Sequence, residues 1–199
     1  LQLCNFGVDT GDLHLFKNLK SLHLSRCRLG LKNEKYKSNI ETYIIEKPTN
    51  VEYHMAALAL MNVKKLVIDC AYFDLSDWHV PNVVDLSITC PDISVYLAQQ
   101  IPNLNSLTIS SACTSTRITV PKEKLSLTGV RVLNLQDIGS STIADLSMKN
   151  CYLKDEDLVH FKRMQLRKIN ISGNRIGAAG LNHLKHLDCS IIQDRKSVV

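Results

Sequence analysis

The sequence predicts an α/β solenoid of short stacked repeats. A curved parallel β-sheet lines its concave face, and helical, 3-10 or extended return segments form its convex face. Three observations predict it. An apolar residue, two variable residues, Leu or Ile, one variable residue, and Leu or Ile recur down the chain. The central positions of this pattern fall at Leu22, Tyr43, Leu66, Leu86 and Leu107, at gaps of 21, 23, 20 and 21 residues. Periods of roughly 20–29 residues mark arrays whose units bury their apolar faces only against one another. Finally, the segments after the last two repeats carry apolar residues at helical spacing, as return helices require.

The first clear unit reads Leu19-Lys20-Ser21-Leu22-His23-Leu24. In a strand, alternate side chains share a face, so Leu22 and Leu24 point inward. Leu31 to Asn39 is polar and Lys-rich, which reads as a surface loop. The next unit, Ile40 to Ile45, is degenerate: Tyr43 stands where Leu is usual, and Pro48 follows closely. Val63 to Ile68, Val83 to Ile88 and Leu104 to Ile109 restore the pattern. Beyond Leu107 the register has two readings. A strand centred on Leu133 in the segment Val130 to Leu135 gives gaps of 26 and then 13. The alternative places the strand near Leu125-Ser126-Leu127. Ile143 to Met148 and Leu166 to Ile171 close the series.

Pro81, Pro91, Pro102 and Pro121 lie in the middle returns, where a helix interior rejects them, so those returns are expected to be extended or short 3-10 segments. After Leu153 a return helix is expected. Asp155 would cap it, Asp157 lies in its first turn, and Leu158, Phe161 and Met164 recur along one side. After Ile176 the spacing repeats with Leu181, Leu184 and Leu187. Residues 1–199 read as a single domain of eight to nine irregular repeats. The opening Leu1-Gln2-Leu3-Cys4, without Met, reads as the interior of a longer protein.

Leu166-Arg-Lys-Ile169-Asn-Ile171-Ser-Gly-Asn174-Arg-Ile176-Gly177-Ala-Ala-Gly180-Leu181 resembles the leucine-rich-repeat consensus almost throughout. Its ending is similar to the helical-return subtype of cysteine-containing and ribonuclease-inhibitor-like repeats. Leu146-Ser-Met148-Lys-Asn-Cys151-Tyr-Leu153-Lys-Asp-Glu-Asp-Leu158 is similar. The resemblance implies a scaffold for holding a protein partner. Immune sensors, substrate-recognition arms of ubiquitin ligases and bacterial effectors all carry such arrays.

The composition sets bounds. Hydrophobic residues make up 45% and charged residues 22%, as in ordinary soluble domains. The net charge of +5, from 24 Lys and Arg against 19 Asp and Glu, is too mild to point to nucleic acid. No run of about 18 apolar residues reads as a membrane span. Cys27 and Cys151 follow their central Leu by five, the repeat position that carries Asn or Cys. Cys70 and Cys90 follow theirs by four. This placement reads as buried, reduced thiols serving as small hydrophobes, which favours a reducing, cytoplasmic setting.

Catalytic chemistry finds little support. No GxSxG, HExxH or Walker-type loop is present. Gly173, Gly177 and Gly180 suit repeat turns better than a phosphate loop. His183, His186 and Cys189 are spaced by three, but no fourth ligand completes a metal set, and a solvated helix edge explains them. Asp155, Glu156 and Asp157 are explained as helix-start residues. Cys113 has no nameable base. No metal or cofactor is expected, nor enzymatic activity. The sequon Asn170-Ile171-Ser172 falls inside a predicted strand and reads as incidental. Ser197 and Val199 resemble a PDZ-binding tail, for which chance is the better explanation.

The expected function is therefore recognition of a protein partner. On the concave face the expected contact residues are Asp69, Asp85, Ser87, Thr108, Asn134, Asp145, Lys149, Lys168 and Asn170. The competing site is a loop edge with Tyr72, Trp78 and His79; Tyr36, with Lys32, Lys35 and Lys37, marks another edge. Trp78 also suits simple packing on the return face. Two alternatives remain open: a structural spacer or oligomerisation module, and the recognition arm of an enzyme whose catalytic domain lies elsewhere.

Overall fold

A computed structural model describes residues 1–30, 38–58, 61–74, 80, 82–94, 101–112 and 116–192. In chain order its strands begin with β1 (Gln2–Cys4), β2 (Gly7–Asp9), β3 (Ser21–Ser25), β4 (Arg28–Gly30), β5 (Thr42–Glu46), β6 (Lys65–Asp69) and β7 (Tyr72–Asp74). They continue with β8 (Asp85–Thr89), β9 (Asp92–Ser94), β10 (Ser106–Ser110), β11 (Lys124–Thr128), β12 (Asp145–Lys149), β13 (Lys168–Asn170) and β14 (Ser190–Ile192). The helices are α1 (Val51–Leu58), α2 (Leu135–Gly139) and α3 (Ala178–Asn182), with 3-10 helices at Thr10–Leu15 and Asp155–Phe161.

Ten strands form one sheet, ordered β1-β3-β5-β6-β8-β10-β11-β12-β13-β14, with every adjacent pair parallel. Parallel neighbours cannot be joined by a hairpin, so each repeat must cross back behind the sheet before starting the next strand. The short strands belong to these crossings: β2 pairs with β4, and β7 with β9.

Repetition extends to individual hydrogen bonds. Just before each strand, one carbonyl accepts two successive N–H groups of the next repeat. Lys20 O accepts from Glu41 and Thr42, Glu41 O from Lys64 and Lys65, and Lys64 O from Val84 and Asp85. The same arrangement continues through Val84, Asn105, Glu123 and Ala144. At the other end, the residue after a strand donates to a carbonyl at or just past the end of the next strand. Arg26 N–H reaches Glu46 O at 2.7 Å, Cys70 N–H reaches Thr89 O at 3.1 Å, and Asn150 N–H reaches Ser172 O at 3.0 Å. These bonds satisfy backbone groups that would otherwise be left unpaired at the strand ends.

The core lies under the sheet. One inward row runs Leu22, Tyr43, Leu66, Leu86, Leu107, Leu125, Leu146 and Ile169, all buried. A parallel row runs Leu24, Ile45, Ile68, Ile88, Ile109, Leu127 and Met148. The expected burial of Leu66, Leu86, Leu107, Leu146 and Ile169 is found.

The strand after Leu107 is centred on Leu125, not Leu133. Strand centres then run 107, 125, 146 and 169, so the gaps of 26 and 13 become 18 and 21. Leu133 is 58% exposed, and Leu135 begins α2. The Leu125 repeat is masked because Lys122 stands where other repeats lead with an apolar residue. Pro121, one residue earlier, is buried.

The shifted cysteines also have an explanation. Arg26, Lys47, Gly129 and Asn150 each follow a strand directly with positive φ, and Gly173 does so three residues past β13, adding one left-handed residue before the buried slot. Cys70 and Cys90 follow β6 and β8 directly, so they reach the core one position earlier.

The sheet is open and does not curl, unlike the curved sheet expected. Helices about 10 Å wide behind strands about 4.8 Å apart would wedge a sheet into an arc. Here β2 with β4 and β7 with β9 pair behind the sheet as strands themselves, at the sheet's own spacing. The middle returns thus begin extended, as their prolines suggested. The return after Leu153 is a 3-10 helix, and the carboxylate of Asp157, rather than Asp155, accepts the Lys154 N–H at 2.9 Å. Asp155 instead accepts the Gly177 N–H of the next repeat at 2.7 Å.

Candidate functional site

Because all strands pair in register, their outward side chains form three straight rows. The row at the strand starts reads Ser21, Thr42, Lys65, Asp85, Ser106, Lys124, Asp145, Lys168. The middle row reads His23, Ile44, Val67, Ser87, Thr108, Ser126, Ser147, Asn170. The row at the strand ends reads Ser25, Glu46, Asp69, Thr89, Ser110, Thr128, Lys149. Asp69, Asp85, Ser87, Thr108, Asp145, Lys149, Lys168 and Asn170 thus share one face, as the sequence pattern predicts.

Asn134 does not lie on that face. It stands just before α2, where its carboxamide accepts the Ile118 N–H at 3.1 Å and donates to the Ile118 carbonyl at 3.0 Å. The alternative strand of Val130 to Leu135, which would have put Asn134 and its alternating neighbours Val132 and Gln136 on the face, is not formed. Their places go to Lys124, Ser126 and Thr128. Thr42, Ile44 and Glu46 also join the face; the degenerate Tyr43 pattern concealed them. Tyr72 opens β7, away from the main sheet. Its side chain lies outside the described residues, as do Trp78, His79, Tyr36 with its lysines, Cys113 and the Ser197–Val199 tail.

Opposite charges face each other along the starting row. Lys65 pairs in register with Asp85, and Asp145 lies between Lys124 and Lys168. One residue upstream, Lys20 Nζ holds Glu41 Oε1 at 2.9 Å, and Arg167 Nε lies 3.4 Å from Asp145 Oδ1. The hydrogen bond and charge of Lys20, with help from Lys64, hold the Glu41 carboxyl below its ordinary range. On the middle and end rows, His23 Nε2 lies 3.1 Å from Glu46 Oε2. A shallow depression of about 400 Å³ sits centrally, lined by Lys65, Asp85, Ser87, Ser106, Thr108 and Lys124. It offers charges of both signs around small hydroxyls, with few long side chains to order on contact.

Beneath the strand ends lies a slot common to several repeats. The Cys27 thiol donates to Leu3 O and Ser25 O at 3.5 and 3.3 Å. The Cys151 thiol donates to Leu127 O and Lys149 O at 3.6 and 3.2 Å. Asn174 fills the same slot, reaching Met148 O at 2.6 Å and Ser172 O at 3.4 Å. Cys4, Cys27, Cys70, Cys90, Cys151 and Cys189 are free thiols, with the middle four buried. The sequon's Asn170 accepts from the Ser172 N–H and hydroxyl at 3.1 and 2.8 Å.

Among the described residues, no three of His, Cys, Asp and Glu gather as a metal site. No helix there is long and apolar enough to cross a membrane. Comparison of the chain with family models, curated proteins and solved structures finds no match.

Proposed function

We propose that this chain is a leucine-rich-repeat solenoid that recognises a protein partner through the outward face of its sheet, without catalysing a reaction. One observation carries the reading: outward side chains from consecutive repeats align in register over eight parallel strands. Such a face is rigid before contact, so binding costs little ordering of the scaffold. The slot shared by Cys27, Cys151 and Asn174 supports the repeat assignment. The central depression, with Lys65, Asp85 and Lys124, supplies charges that set orientation and specificity more than affinity. The spacer reading gives no role to this charge pattern. A cytoplasmic setting is part of the proposal, since buried free thiols suit a reducing compartment.

The test is capture of partners by the intact chain compared with Asp85→Lys, Asp145→Lys and Lys168→Glu. A partner retained by the parent and lost from these variants, with melting temperature unchanged, supports the face. Partners held equally by all four proteins count against it. A chain that captures nothing favours the spacer.

A further inference from the structure

The charges on the outward face are ordered about one strand. β10 lies between β8 and β11, with β6 and β12 one strand further out on either side. Along the starting row, Asp85 stands one strand from β10 on one side and Lys124 one strand from it on the other. Two strands away, Lys65 stands on the first side and Asp145 on the second. In the row at the strand ends, Asp69 and Lys149 likewise lie two strands from β10 on opposite sides. Each of these charges is matched by its opposite at the same distance from β10. β10 itself shows only hydroxyls outward: Ser106, Thr108 and Ser110.

A two-fold axis requires this pattern of any surface that pairs with itself. A second copy laid face to face, with the axis running along β10 between the two sheets, keeps each row opposite its own kind and reverses the order of the strands. Asp85 of each copy then faces Lys124 of the other, Lys65 faces Asp145, and Asp69 faces Lys149. Residues on the axis meet their own copies, and a hydroxyl can do so because it both donates and accepts. The neighbouring positions of the axis fail. Moved by one strand, it sets Asp85 or Lys124 against itself; moved by half a strand, it sets Lys65 against Lys124 or Asp85 against Asp145. Lys65, Asp69, Asp85, Lys124 and Lys149 form no ion pair among the described residues, so they are available to a partner. The uncurled sheet lets two such faces meet, which a concave one would not. The seven strands from β5 to β13 are centred on β10. At about 4.8 Å spacing and about 17 Å length they offer roughly 1,100 Å² over two copies. That just exceeds the ~1,000 Å² a specific interface needs.

We propose that the partner of this face is a second copy of the same chain, joined as a two-fold dimer with its axis along β10. The inference rests on the reading of the outward face as a protein-contact surface and names its occupant. Three ion pairs, each repeated by the symmetry, set the register of the two sheets. The small hydroxyl side chains at the centre leave room for the sheets to approach.

The test is sedimentation of the full chain over a range of concentrations. The parent is expected to form a dimer that loosens between about 0.05 and 0.5 M salt, as the screening length shortens. Asp85→Lys and Lys124→Asp should each weaken the dimer about tenfold or more, because each opposes like charges twice across the axis. An equimolar mixture of these two variants should dimerise again, since position 85 of one then meets position 124 of the other with opposite charges at both contacts. The double variant D85K/K124D should dimerise by itself for the same reason. Asp69→Lys mixed with Lys149→Asp repeats the cycle at the strand ends. Recovery on mixing shows that the single variants are folded. A parent that stays monomeric overturns the proposal, as does a dimer that both single variants keep. Mixtures and a double variant that stay as weak as the single variants overturn the axis along β10. A monomeric parent that still captures a different protein, lost on Asp85→Lys, overturns self-association and leaves the face standing as a contact surface.

Discussion

The phenol of Tyr43 and the imidazole of His54 are joined by a buried hydrogen bond, Oη to Nδ1 at 2.8 Å. Tyr43 comes from β5 and His54 from α1, so the bond ties the sheet to its return helix. Both residues have no exposed surface. Burial pushes the His54 pKa down to about 4, with the Cys27 backbone opposing, and pushes the Tyr43 phenol up. At neutral pH both partners of this bond are therefore uncharged.

This pair makes stability depend on pH. An unfolded histidine titrates near 6.5, whereas His54 in the folded chain titrates at about 4. Between these values the unfolded chain binds a proton that the folded chain refuses, so stability falls as pH falls. The His54 contribution is fully present above pH 6.5 and declines by about 3 kcal/mol as pH drops through 4. Urea denaturation of the parent and of the double variant Tyr43→Phe/His54→Leu, at several pH values, isolates this share. Identical slopes in the two proteins between pH 6.5 and 4 would show that His54 is not buried neutral.

Leu107 and Leu133 provide a contrast in the core. Leu107 has no exposed surface and sits mid-sheet, so Leu107→Ala should cost about 2–5 kcal/mol through the cavity it leaves. Leu133, more than half exposed, should cost roughly 0.5 kcal/mol or less on the same change. Equal losses in chemical denaturation would restore the strand centred on Leu133.

Thiol accessibility separates the cysteines. Cys4 is exposed, while Cys27, Cys70, Cys90 and Cys151 are buried. Native labelling with a maleimide should modify Cys4 quickly and those four only after denaturant is added. Burial and the neighbouring Asp188 both push the Cys189 thiol up, so it should react slowly despite partial exposure. Rapid native labelling of Cys70 or Cys90 would place them away from the core.

Residues 19–24, 63–68, 83–88, 104–109, 143–148 and 166–171 announce their strands through local alternation. Strand geometry alone decides which of their side chains face inward. The same local pattern made most of the outward face legible, from Asp85 to Asn170. The slot of Cys27 and Cys151 was legible too, because its distance from the central Leu is set by the strand and one turn.

The strand at Leu125 was decided by tertiary structure. Leu125 and Leu133 both offer apolar alternation, and the choice lies in hydrogen bonds to neighbours on both sides. Asn105 O accepts the N–H groups of Glu123 and Lys124, and Glu123 O accepts those of Ala144 and Asp145. Those partners are 18 or more residues away, beyond any local pattern. Asn134 was misplaced for the same reason. The Tyr43–His54 bond and the hydrogen bonds that the Cys151 and Leu153 N–H groups donate to Asn174 Oδ1 likewise join residues from different segments. A chain declares which side chains want burial, but only the assembled fold decides which polar groups meet, because hydrogen bonds need a partner at one distance and angle while apolar burial does not.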